Sequence, residues 1–184
     1  MHAQPYIDVV DISVLGPLRV EGLHGPVEIR GAKERLLLAR LVAASGRLVP
    51  ASDLIDTLWG DQPPASAAKS IQTFVVRLRN ALEPNRAQAP TVLLTDGPGY
   101  RLAIDPGRVD AERFARLATM GHRAIAEGRP DSAERTLAEA LSLWRGPAYA
   151  GFESADFAHA EARRLDERRL SVTEDRLACE LALG

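Results

Sequence analysis

Between Lys69 and Asn80 the chain reads KSIQTFVVRLRN, and its side chains sort into two chemistries. At 100° per residue, Ala67, Ile71, Phe74, Val75, Leu78 and Leu82 fall within about 60° of Ile71 on a helical wheel. Lys69, Gln72, Thr73, Val76, Arg77 and Asn80 lie at roughly 100° or more from that origin, and Arg79 sits near the border. The amide of Gln and the guanidinium of Arg are planar and can pair bidentately with adenine and guanine edges. No acid interrupts this polar face until Glu83, as expected where phosphates approach. From Pro64 to Arg86 there are four basic residues, Lys69, Arg77, Arg79 and Arg86, against that one acid. The plain alternative is a structural helix with a solvated polar side.

Other chemistries lack their residues. No GxxxxGK[ST] phosphate loop occurs, and the glycine-rich DGPGYR stretch (96 to 101) lies between strand-like runs instead of opening a helix. The histidines, His2, His24, His122 and His159, do not pair at ligand spacing with the lone Cys179, and HExxH and GxSxG are absent. Asp53, Asp56, Asp166 and Glu167 sit among other charges, where solvated or salt-bridged roles are the ordinary ones. The mixed-sign run EARRLDERRL (161 to 170) suits i,i+4 pairing, with contact to a partner through Arg163, Arg164, Arg168 and Arg169 as the second possibility. Nothing here points to an enzyme, a cofactor or a metal.

The elements that must position the polar face read as follows. Short strands are expected in 11 to 22 and 27 to 29, around the Gly16-Pro17 and Gly25-Pro26 turn signals. A helix over 31 to 46 ends at Gly46, placed as a C-cap, and RLVP makes a short extended link. A second helix, 52 to 60, takes Ser52 as N-cap and stops at Gly60. Pro63-Pro64 forces a fresh start for the helix in 61 to 84, which Pro84 closes. Two β-rich runs around DGPG, 91 to 104, signal a hairpin tipped by Gly97 and Gly99, with Tyr100 and Arg101 on the return strand. Strands, three helices and a hairpin are the elements of a winged helix-turn-helix with an added N-terminal sheet. Beyond the linker DPGR (105 to 108) the chain is expected to be all helical, about 110 to 127, 130 to 145 and 154 to 183. There Gly128, Ala133, Ala140 and Trp144 take a spacing reminiscent of tetratricopeptide units. Trp59 and Trp144 are assigned to the core. Such helix pairs need neighbours to cover them, so a chain stopping at Gly184 after a Leu/Ala-rich helix is expected to end inside a longer array. The fold class is therefore mainly α with small β-sheets.

Composition sets the bounds. With 184 residues and 46% hydrophobic content, the chain can form one or two domains with real cores. One cysteine excludes an internal disulfide, no apolar run approaches a membrane span, and no secretion signal opens the chain, which predicts a cytoplasmic protein. The formal net charge of −2 argues against nucleic acid in bulk. Residues 1 to 109 carry 12 basic against 11 acidic residues, and 110 to 184 carry 11 against 14, so the cationic signal is local.

LWGDQPPASAAKSIQTFVVRLRNALE (58 to 83) followed by GPGYRL (97 to 102) closely resembles the Streptomyces antibiotic regulatory protein (SARP) family of transcriptional activators. EGRPDSAERTLAEALSLWRGPAYAGF (127 to 152) resembles the bacterial transcriptional activation domain that follows in that family. The resemblance covers the chain from about Ile12 to Leu183. It implies a winged helix-turn-helix domain of OmpR type over 1 to 107 and a helical activation domain over 108 to 184. It implies double-stranded DNA with direct repeats near promoters as a partner, side-by-side copies on that DNA, and recruitment of RNA polymerase holoenzyme. Carried over by position, Lys69 and Thr73 would meet phosphate or base edges, with Gln72, Arg77 and Arg79 as further readers. The loop through Gly97 and Gly99, with Tyr100 and Arg101 behind it, would be the wing. Val76 and Asn80 depart from the family pattern, where Ser and a second basic residue are common; Val76 could touch a thymine methyl. The competing class is a signalling adaptor, with a helical-repeat scaffold and only non-specific DNA binding.

Overall fold

The computed structural model describes residues 10–84 and 89–183. Arg86, counted above among the local basic residues, lies outside them. The described residues divide into two compact units, 10–12 with 19–105 and 13–18 with 106–183.

In the first unit, β1 (Asp11–Ser13, its last residue already in the second unit), β2 (Arg19–Gly22) and β3 (Gly25–Pro26) form one sheet in that order. The strand expected over 27 to 29 is shorter and earlier, because Gly25 turns the chain at φ 115° and Pro26 pairs with Glu21. The helices are α1 (Ala32–Ala43), α2 (Ala51–Trp59) and α3 (Ala67–Leu82), and all three pack on one another. Leu37, Leu38 and Leu41 of α1, Leu54 of α2, and Ile71, Val75, Leu78 and Leu82 of α3 are buried nearly completely. Burying each such side chain is worth roughly 1.5–3 kcal/mol, enough to fix the rotation of α3 about its axis.

Two caps differ from expectation. α2 leaves directly from strand β4 (Val49–Pro50), with Pro50 at φ −57° as its N-cap, so Ser52 lies inside the first turn and bonds Asp53 instead. α1 ends at Ala43, and Ser45 takes a left-handed conformation (φ 49°) one residue before Gly46. The stop at Gly60 holds, its N–H donating to the Asp56 carbonyl at 2.7 Å. The second sheet runs β4-β6-β5, with β5 (Leu93–Asp96) and β6 (Gly99–Leu102) in antiparallel register from Leu93↔Leu102 to Asp96↔Gly99. Gly97 at φ 51° supplies the left-handed residue of the two-residue turn. Gly99 is needed for another reason: a Cβ there would stand 2.2 Å from the Val49 carbonyl oxygen. Only a glycine lets β4 lie against the wing.

In the second unit a 3-10 turn (Pro106–Arg108) leads to α4 (Asp110–Ala126), α5 (Pro130–Ser142) and α6 (Asp156–Leu183). α4 and α5 form a helical hairpin, turned by Gly128 at φ 69°, and α6 packs on α5. Ala133, Leu137 and Ala140 are fully buried, and a Cβ on Gly121 would meet Leu137 at 2.2 Å, so small residues set the close approach. Trp144 is core, edge-on to Phe114.

The segment 13–18 belongs to this unit through a buried carboxylate. Asp110 accepts the backbone N–H of Val14 at 2.8 Å and of Leu15 at 3.0 Å. The carbonyls of the same two residues accept from the second unit as well, Leu15 from Arg145 N and Val14 from Tyr149 N, and Pro17 bridges Ala150. Burial pushes the Asp110 carboxyl above its ordinary value, although those N–H donors and nearby Arg145 pull the other way.

Candidate nucleic-acid interface

α3 turns its anchored side inward and its polar side outward. Lys69, Gln72, Thr73, Val76, Arg77 and Asn80 are all exposed, and Val76, an aliphatic residue, is 51% accessible. Along the helix the acid-free stretch persists to Glu83, whose carboxylate is buried and turned onto Thr91 and Val92 of the segment leading into β5. The single acid of the local count is thus withdrawn from the displayed face.

The polar residues are not equally available. Among the described residues no hydrogen bond or ion pair holds the side chains of Lys69, Gln72 or Asn80, so their donors and acceptors face solvent. Thr73 donates its hydroxyl to the Lys69 carbonyl at 3.0 Å, which leaves its oxygen lone pairs and methyl for any partner. Arg77 donates from Nη1 to Glu34 Oε1 at 2.8 Å. Arg79 is half-buried; its Nε donates to the Leu93 carbonyl and its Nη2 to Thr95 Oγ1, both at 2.8 Å. Its border position on the wheel therefore resolves toward the hairpin, and it braces β5 against α3.

At the wing, Gly97 is exposed and Gly99 is buried against β4. Tyr100 and Arg101 are half-buried on β6, and Arg101 Nε lies 3.4 Å from Asp96 Oδ2 across the strand pair. The first unit thus brings all the α3 candidates onto one helix, with Arg79 joining that helix to the strand before the turn.

Glu34 and Lys33 of α1 also belong to this region, and no local sequence motif places them there. Glu34 stands three, four and seven residues before Leu37, Leu38 and Leu41, so an acid occupies the apolar stripe of α1. A carboxylate there signals a cation reaching in from elsewhere, since buried acids are almost always paired. Lys33 lies 4.6 Å above the Trp59 ring and donates to the Leu58 carbonyl, while Trp59 stacks on Phe74. Trp59 is consequently half-exposed and not the core residue expected.

The arginines of α6 are engaged within their own unit. Arg164 pairs with Glu161, Arg163 lies 3.8 Å from Glu167, and Arg176 bridges Glu134 and Glu180. Arg168 donates to the Ala115 carbonyl and Thr119, and Arg169 lies 4.5 Å from the centre of the Trp144 ring. Among the described residues no cluster of three or more His, Cys, Asp or Glu could hold a metal, and no helix is long and apolar enough to cross a membrane.

Comparison with known proteins finds both halves. Residues 27–102 match the family described as transcriptional regulatory protein, C terminal, and residues 109–184 match the bacterial transcriptional activator domain. The regulatory protein DnrI of Streptomyces peucetius is 36% identical over 180 residues, covering 95% of this chain and 66% of that protein. The transcriptional regulator RedD of Streptomyces coelicolor is also 36% identical, over 95% of this chain and 50% of its own length. A solved structure of Mycobacterium tuberculosis EmbR in complex with a low affinity phosphopeptide superposes with a TM-score of 0.90 at 34% identity, over 97% of this chain and 47% of EmbR. The chain therefore spans about two thirds of DnrI and about half of the other two.

Proposed function

Because the chain belongs to the Streptomyces antibiotic regulatory protein family, joining an OmpR-type winged helix to a bacterial transcriptional activator domain, we propose that it is a sequence-specific DNA-binding activator of transcription. In this reading the part up to residue 107 binds double-stranded DNA in the cytoplasm, and the part from residue 108 serves RNA polymerase holoenzyme. Side-by-side copies occupy direct repeats at promoters.

One observation carries the reading: the outward side of α3, from Lys69 to Asn80, holds no acid and several side chains suited to bases and phosphates. A helix of this diameter fits the major groove, and its apolar side is already occupied by the core. Lys69 supplies a phosphate contact, Gln72 and Arg77 read base edges, and Thr73 and Val76 offer a hydroxyl oxygen and methyl groups to thymine or adenine neighbours. Asn80 lies further along the same side. The turn at Gly97 reaches the adjacent backbone, with Tyr100 and Arg101 behind it, and Arg79 holds that hairpin to α3.

Selection from a random duplex pool tests this directly. The full chain should enrich a defined motif, and Gln72→Ala should relax preference at one base pair by about 1–3 kcal/mol in fluorescence anisotropy. Failure to enrich any motif, with binding no better than micromolar at physiological salt, would leave the adaptor class in its place.

A further inference from the structure

We infer that Glu34 is a positioning residue for Arg77, holding its guanidinium in one orientation on the displayed side of α3, and that Gly31 is the space this requires. The inference rests on the DNA-reading proposal above.

The pair is asymmetric. The Glu34 side chain, in the first turn of α1, is only 9% accessible, whereas that of Arg77 is 65% accessible. Ion pairs open to water contribute little to stability, so holding the fold together is a weak reason to bury this carboxylate. Geometry offers a stronger one. Arg77 donates one N–H of Nη1 to Glu34 at 2.8 Å, and among the described residues nothing else holds the group. A guanidinium carries five N–H donors in a planar fork, so its Nε and Nη2 edge keeps the bidentate geometry that a guanine edge accepts. The pair also lines an open cleft of about 450 Å³ with Ile29, Arg30 and Leu78. An untethered guanidinium has room to swing there. Ordering a long side chain only at docking weakens recognition by roughly three- to tenfold, a loss that prior fixing avoids.

Gly31 provides independent support. Its φ of −76° is open to any residue, so backbone freedom does not explain the glycine. A Cβ at this position would lie 1.6 Å from Glu34 Oε2. Alanine there must push the carboxylate end away while leaving its charge in the protein.

The test uses the full chain, the duplex enriched by random-pool selection, and a scrambled duplex of the same composition. Glu34→Gln and Gly31→Ala should each lower the ratio of the two affinities by roughly three- to tenfold. Thermal midpoints should stay near wild type, and affinity for the scrambled duplex should not fall. In an Arg77→Ala background neither change should lower the ratio further. In the free protein, nitrogen relaxation at Arg77 Nε should report an ordered group that both variants release. Unchanged ratios, or equal losses with and without Arg77, overturn the inference. If the wild type prefers neither duplex, the DNA-reading proposal fails by itself and relaxation decides: Arg77 equally mobile in all three proteins overturns the tether, and release in both variants upholds it.

Discussion

α3 and α6 are both arginine-bearing helices, and they differ in what their charged groups are bonded to. On α6 the arginines meet glutamates, carbonyls and an aromatic ring of their own unit. Opposite charges lie within a turn of one another, so the field a phosphate would feel largely cancels. On α3 the nearest acid in sequence, Glu83, is buried, while Lys69, Gln72 and Asn80 stand in solvent. Counting basic residues would rank α6 first. Asking whether acids share the helix with the basic groups ranks α3 first, since Ala67–Leu82 holds none, and the second unit then reads as a body whose polar groups hold itself together.

That contrast is sharpened most by Asp110. Replacing it with alanine strands the buried N–H groups of Val14 and Leu15, at about 1–3 kcal/mol for each unsatisfied donor. Asp110→Ala should therefore destabilise the second unit by roughly 2–5 kcal/mol, with lost hydrogen-exchange protection at Val14 and Leu15. The pH dependence has a definite sign. The folded-state value is raised, so the folded protein binds this proton more tightly than the unfolded chain does. The advantage of wild type over Asp110→Ala is then greatest below the ordinary value of 3.8 and declines as pH rises through the folded value. Denaturant midpoints of both proteins across that range check it; an advantage that grows with pH would show that the N–H donors outweigh burial.

The next effect belongs to the first unit. Arg79 is the α3 arginine whose Nε and Nη2 point into the wing, toward the Leu93 carbonyl and Thr95. Arg79→Ala removes charge-assisted hydrogen bonds, worth about 1.5–3 kcal/mol when buried and less in this partly open setting. We expect about 1–2 kcal/mol of lost stability, together with weaker binding to every DNA sequence, because the hairpin loses its brace. A variant that kept its stability and lost preference at one base pair would return Arg79 to the reading face.

Much of this arrangement is legible in the chain. The period of α3, the chain break at Pro63-Pro64, the glycine-tipped hairpin and the helical second half all follow from local preference and spacing, although α3 itself begins only at Ala67, with Ser66 as its N-cap. What is not legible is held by distant partners. Asp110 and Val14 are 96 residues apart, and Glu34 and Arg77 are 43 apart. No periodicity joins them. Ser52 shows the reverse failure: a good capping residue is overruled when Pro50 of β4 begins the helix itself.

The smallest effect separates the two helices most cleanly. Lys69 on α3 and Arg163 on α6 are both exposed cations, and Arg163 lies 3.8 Å from Glu167. Neither side chain holds a buried group, so replacing either with alanine should leave stability within about 0.5 kcal/mol. Their effects on DNA should diverge. A phosphate contact releases condensed counterions, and each one lost lowers the slope of log affinity against log salt by about 0.9. Lys69→Ala should weaken binding to matched and scrambled duplexes alike and flatten that slope by about one contact. Arg163→Ala removes a cation whose field Glu167 already cancels, and should leave the slope unchanged. Anisotropy titrations at four or more salt concentrations give both slopes from the same duplex. If the two variants flatten the slope equally, the paired arginines of α6 touch phosphate as well, and intramolecular pairing is no guide to which helix meets the duplex.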